Sequence, residues 1–167
     1  MKKSDSNVVN LFEQSNQGVQ KIVLIDSMKM KRGGTISNPV LAYETWGKMN
    51  ESRDNVVLIL TGLSASSHVA SHSSNPNPGW WEGIVGPDKA IDTNKFYVVC
   101  INSLGSCFGS TGPASLNEIT GEPFRLTFPE LTIDDMATAT KLLLDKLKIE
   151  QINTLIGPSM GGMHALA

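Results

Sequence analysis

Apolar residues in this chain fall into short runs separated by long polar stretches, and the runs are of different kinds. Val40-Leu41-Ala42-Tyr43-Glu44-Thr45-Trp46-Gly47 alternates, placing Leu41, Tyr43 and Thr45 on one side, which predicts a strand. Val56-Val57-Leu58-Ile59-Leu60 and Phe96-Tyr97-Val98-Val99-Cys100-Ile101 are apolar without alternation, the pattern of central parallel strands covered by helices on both faces. Val19-Gln20-Lys21-Ile22-Val23-Leu24 reads as another strand, joined through a turn at Lys31-Arg32-Gly33-Gly34 to the alternating one as an antiparallel hairpin. The period then changes: Ile133, Met136, Ala137, Leu143, Leu144 and Leu147 share a helical face. Thr132 is the N-cap, Asp134 and Asp135 lie in the first turn, and Lys146 and Lys148 lie at the end. Residues 149–153 lead into a last strand, Thr154-Leu155-Ile156.

The order strand, loop, strand, loop, helix, strand, with a hairpin in front, predicts an α/β fold on a mostly parallel, hence mixed, sheet. Residues 19–167 form its one domain, and the polar residues 1–18 are expected to be a mobile lead-in. Two long segments, 61–92 and 102–129, are rich in Ser, Asn, Pro and Gly, and loops of that length inside a domain usually carry function.

Composition narrows the function classes. With 14 basic and 16 acidic residues the net charge is −2, which supplies no footprint for nucleic acid or an anionic membrane surface. No apolar run approaches the ~18 residues of a membrane helix, and the first twenty residues hold no signal-peptide core, so a cytoplasmic protein is expected. Cys100 and Cys107 have neither CxxC spacing nor a histidine at zinc-ligand distance; both are expected to be reduced thiols, and no metal site is expected.

The chemistry lies after the last strand. Gly157-Pro158-Ser159-Met160-Gly161-Gly162 fits G-x-S-x-G and is followed by a helical stretch, Met163-His164-Ala165-Leu166-Ala167. Strand, Ser, helix is the context of a nucleophile elbow, in which small neighbours at 157 and 161 relieve crowding around a sharply turned serine. A Gly-rich turn that merely starts a helix or cradles a phosphate is the plainer alternative. An elbow needs a second oxyanion donor from the loop after an earlier central strand, and Leu60-Thr61-Gly62 sits where that loop begins. The backbone N–H groups of Leu60 and Met160 are therefore the candidate donors.

The three histidines are rejected as general base. In a nucleophile-elbow fold the base follows the serine at a distance, and His164 lies five residues beyond Ser159 on the same helix, pointing away. His164 is expected to be helix packing, His72 a solvated loop residue, and His68 loop structure or pocket lining. Trp80-Trp81 is read as a pair of anchors pinning its loop, ahead of a stacking surface for a ligand adenine. Met160 and Met163 are assigned to packing.

Tyr43-Glu44-Thr45-Trp46-Gly47, Leu60-Thr61-Gly62, Ser67-His68-Val69-Ala70, Pro78-Gly79-Trp80-Trp81, Asn102-Ser103-Leu104-Gly105-Ser106-Cys107, Phe128-Pro129-Glu130-Leu131-Thr132 and Gly157-Pro158-Ser159-Met160-Gly161-Gly162 resemble, in order and spacing, the homoserine O-acetyltransferase family. The loop motifs 63–67 and 102–115 are closer to its serine O-succinyltransferase branch. The resemblance implies an α/β-hydrolase fold, seen here as its N-terminal part and ending after the elbow. It also implies ping-pong transfer from acetyl-CoA or succinyl-CoA, through acylated Ser159, to the hydroxyl of L-serine or L-homoserine, with no permanently bound cofactor. The family's Asp and His come later in the chain, so these 167 residues alone are expected to be inactive and to leave an unpaired sheet edge, as a gene fragment or interrupted frame would. At full length a homodimer is expected. The alternatives are a carboxylester hydrolase on the same fold and a non-enzymatic fragment that pairs with a partner chain.

Overall fold

The computed structural model describes residues 18–167, so the expected lead-in lies, apart from Gly18, outside the described residues. Five strands form one sheet in the order β1-β4-β8-β5-β11: β1 (Gln20–Val23), β4 (Val40–Trp46), β8 (Tyr97–Asn102), β5 (Val56–Leu60) and β11 (Thr154–Ile156). β5 pairs parallel with β8 and with β11, whereas β4 pairs antiparallel with β1 and with β8. This is the mixed sheet the apolar pattern predicts, and β5, unbroken in its apolar run, is buried throughout.

One helix, α1 (Ile133–Lys146), covers one face of the sheet. Thr132 caps it with a reciprocal box: its hydroxyl accepts from the Asp135 amide at 3.2 Å, and Asp135 accepts from the Thr132 amide at 2.9 Å. Ala139, Leu143 and Leu144 of α1 pack on Val56, Leu58, Leu60, Val99 and Ile101. The apolar runs predict a helix on the opposite face as well, but among the described residues none lies there. That face is covered by the long loop 61–92, whose Val69, Ala70, Val85 and Ile91, with half-buried Trp81, close over Val57, Ile59, Val98 and Cys100. Small apolar residues scattered among Ser, Asn and Gly suffice because the loop packs backbone to backbone. A β-carbon at Gly79 would collide with the main chain of Val69 and Ala70. Two short strands inside this loop, β6 (Val85–Gly86) and β7 (Ile91–Asp92), pair with each other.

The predicted hairpin exists, with an addition. Between β1 and β4 the chain forms a second small ribbon, β2 (Ser27–Lys29) on β3 (Thr35–Ser37), closed by the expected turn and burying Met28 and Ile36. One apolar residue per three-residue strand is too little pattern to read in advance. In the second long loop, β9 (Leu116–Asn117) and β10 (Glu122–Pro123) form a similar ribbon. Among the described residues no helix is long and apolar enough to cross a membrane.

Candidate active site

β11 ends at Ile156 and the chain reverses through Gly157, Pro158 and Ser159 into α2 (Met160–Leu166). Ser159 is exposed and adopts φ 54°, ψ −124°, a left-handed conformation that costs a residue with a β-carbon about 1–3 kcal/mol. The surroundings hold it there. The amides of Gly161 and Gly162 donate to the carbonyls of Pro158 and Ser159, each at 2.9 Å. A β-carbon at Gly157 would collide with the Gly161 carbonyl, and one at Gly161 with the Leu60 carbonyl. Both glycines are therefore required by close backbone approach, the role expected of them in an elbow.

Those contacts bring together the two segments singled out in the sequence. Leu60 ends β5 in register with Ile101, and the chain then turns so that Gly62 faces the elbow. A β-carbon there would lie 3.6 Å from the Pro158 carbonyl oxygen and 3.8 Å from the Ser159 β-carbon. The amides of Met160, Gly62 and Leu63 have no hydrogen-bond partner among the described residues. Leu60 is the last residue of β5, paired with Ile101, and Gly62 and Leu63 follow just past it.

No histidine is placed to activate Ser159. His164 is buried against α1, with Nε2 3.1 Å from Thr140 Oγ1, and burial lowers its pKa, an effect the Met136 backbone opposes. It is the packing residue the sequence predicted. His68 and His72 both turn toward Glu44, whose side chain on β4 is 1% exposed: His68 Nδ1 and His72 Nε2 each lie 2.8 Å from Glu44 Oε2. The expectation of a solvated His72 is thereby corrected. Its ring is drawn in by a buried carboxylate on a strand 28 residues earlier, a partner that no local spacing reveals. Ser67 Oγ donates to Glu44 Oε1 at 2.9 Å, and Asn102 Oδ1 accepts from the Ser67 amide at 2.6 Å, so the root of the long loop is fixed by buried polar groups.

Of the two tryptophans only Trp81 is an anchor to the sheet; Trp80 is 36% exposed and is fixed to its own loop. Trp80 Nε1 donates to the Ser66 carbonyl at 2.8 Å, and Trp81 packs on the loop-covered core. Cys100 is buried, its thiol pushed well up by burial and by the Glu44 charge, whereas Cys107 is exposed.

The α/β hydrolase fold family matches residues 55–167. The chain is 53% identical over 150 residues to the serine O-succinyltransferase of Xanthomonas campestris pv. campestris (strain B100), covering 90% of this chain and 40% of that protein. Among solved structures, the homoserine O-acetyltransferase from Bacillus anthracis superposes with a TM-score of 0.80 at 35% identity, over 89% of this chain and 41% of the other. Esterase E22 superposes with a TM-score of 0.77 at 39% identity, over 87% and 42%. The chain thus spans about 40% of the length of the relatives it matches.

Proposed function

The chain belongs to the α/β-hydrolase-fold family, and from that premise we propose that Ser159 is the nucleophile of an acyl-CoA-dependent O-acyltransferase whose acceptor is the hydroxyl of L-serine or L-homoserine. One observation carries the reading: Ser159 is held at positive φ on an exposed elbow beside amides from two segments that have no partner among the described residues. Its Oγ attacks the thioester carbonyl, the C–S bond breaks, and the thiol of coenzyme A leaves with a proton. The acceptor oxygen then attacks the acyl-serine carbonyl, the bond to Oγ breaks, and Ser159 regains its proton. Each tetrahedral oxyanion is met by the Met160 amide and by the segment opened by Leu60, each donor worth about 3 kcal/mol in the transition state. Because His68, His72 and His164 are engaged elsewhere, the reading requires a general base other than these three. Serine is favoured as acceptor by the relative at 53% identity, named a serine O-succinyltransferase. On resemblance alone, the same reading carries a cytoplasmic homodimer.

The likeness to esterase E22 supports a second reading, in which water takes the acyl group. The two separate on acyl fate. Purified full-length protein carrying these residues is given acetyl-CoA or succinyl-CoA with L-serine, L-homoserine or no amino acid. Transfer predicts an acyl group on the Ser159 peptide and O-acyl amino acid as product. Free acid formed at a rate no amino acid alters would remove the transferase reading and leave the esterase.

A further inference from the structure

The fold assembles a cluster that the spacing of its members conceals. Glu44 comes from β4, and His68 and His72 from the long loop beyond β5. One ligand atom from each lies within 4.8 Å of the others. The side chains are 1%, 12% and 17% exposed.

The proton bookkeeping of His68 points to what the cluster holds. Its Nε2 lies 2.8 Å from the Asn77 carbonyl oxygen, which can only accept, so Nε2 carries a hydrogen. In neutral His68, Nδ1 then presents a lone pair. Asn75 Nδ2, 3.3 Å away, faces that lone pair as a donor, and Asn75 is oriented by its Oδ1, which accepts from the Asn77 side-chain amide at 3.1 Å. Yet Nδ1 also faces Glu44 Oε2 at 2.8 Å, so two acceptors meet in a buried place. A proton or a metal cation between them resolves the conflict. His72 Nε2 converges on the same oxygen, and the other carboxylate oxygen is steadied by Ser67.

We propose that this cluster is a site for a divalent transition-metal ion of the Zn2+ class, ligated by Glu44, His68 Nδ1 and His72 Nε2. Imidazole and carboxylate are the donors such ions take, and three protein ligands leave a fourth position for water. The outer contacts are those of a ligating set. His68 donates its other ring nitrogen to a backbone carbonyl, and the carboxylate is itself hydrogen-bonded. To ligate, His72 exchanges a long contact, 3.3 Å between the Ser74 amide and Nδ1, for a protonated Nδ1 near the surface. The ion would tie the loop that begins beside the elbow to the central sheet.

The test uses purified protein stripped with EDTA and then freed of chelator. ZnCl2 is titrated by calorimetry and CoCl2 by visible absorption. The expected result is one ion per chain, Co2+ bands of a nitrogen- and oxygen-ligated site, and affinity lowered about 100-fold in H68Q and in H72Q. Circular dichroism checks folding. His72 is the most exposed of the three, so H72Q decides the matter if H68Q fails to fold. Absence of saturable binding, or H72Q binding as tightly as the parent, would overturn the proposal and leave a shared proton as the occupant.

Discussion

A β-carbon placed on Gly161 would fall well inside contact distance of the carbonyl oxygen of Leu60, so the first turn of α2 and the end of β5 touch through bare backbone. Gly161→Ala must push these two elements apart, and overpacking of that kind costs about 3 kcal/mol. Because the elbow and the segment past Leu60 would move apart, acylation of Ser159 in the full-length protein should fall by more than the lost stability explains. Gly62→Ala is the control: its β-carbon meets nothing nearer than 3.6 Å, so stability should change by less than about 1 kcal/mol. Urea midpoints of the two variants, with acyl-enzyme mass spectrometry, check both statements.

Ser159 is expected to be a place where stability and chemistry conflict. Its positive φ stores about 1–3 kcal/mol, which glycine releases and alanine does not. Glycine also raises the entropy of the unfolded chain, offsetting up to about 1 kcal/mol. Ser159→Gly should therefore be more stable than Ser159→Ala by about 1 kcal/mol, while in the full-length protein both substitutions lower acyl transfer by about 10⁴-fold or more. Equal denaturation midpoints for the two would mean that the strain does not exceed the entropy cost of glycine, about 1 kcal/mol.

What the sequence disclosed, and what it hid, follows from the range of the interactions. β5, β8, β11 and α1 are set by runs of apolar residues and by local capping, and they lie where the pattern placed them to within one or two residues. The elbow was legible for the same reason, since strand, Gly157, Ser159 and Gly161 are contiguous. The cover on the second sheet face was not, because Val69, Val85 and Ile91 are separate apolar residues in a polar loop and are recruited only when the loop folds back. The Glu44 cluster was hidden for a related reason. Its carboxylate sits in an alternating strand on the side away from Leu41, Tyr43 and Thr45, and its partners are 24 and 28 residues away.

Asp135 should be the costliest polar residue of α1 to lose. Burial raises its pKa, but hydrogen bonds from Thr132 and the Lys31 amide outweigh that and leave it lowered. The 2.9 Å bond to Lys31 also fastens the β2–β3 turn to the helix start. Asp135→Ala removes the box and that tie together, at an expected cost of about 2 kcal/mol. Thr132→Ala, which keeps the tie, should cost about 1 kcal/mol. Thermal denaturation of the two variants ranks them, and a reversed order would show that the tie to Lys31 adds nothing.

Glu82 fastens the long loop to itself, and that contribution should disappear in acid. Its carboxylate accepts from the Gly79 amide at 3.0 Å, from the Ser71 amide at 2.7 Å and from Ser71 Oγ at 2.9 Å, with Lys89 alongside. The Gly79 and Ser71 amides lower its pKa to about 2, against the opposing effect of burial. The folded-state value lies below the unfolded one, about 4.3, so the unfolded chain binds the proton first as pH falls. The stabilisation is complete above about pH 5 and is lost as the pH falls through the folded value. His164, also depressed, adds a separate decline below its unfolded value of about 6.5. Glu82→Gln should therefore cost about 1 kcal/mol at pH 7, a modest figure because the carboxylate is 37% exposed, and that difference should close by about pH 2 while the His164 decline persists in both proteins. Urea denaturation of parent and variant across this range provides the check, and a difference that stays constant down to the acid limit would mean that Glu82 acts through shape, not charge.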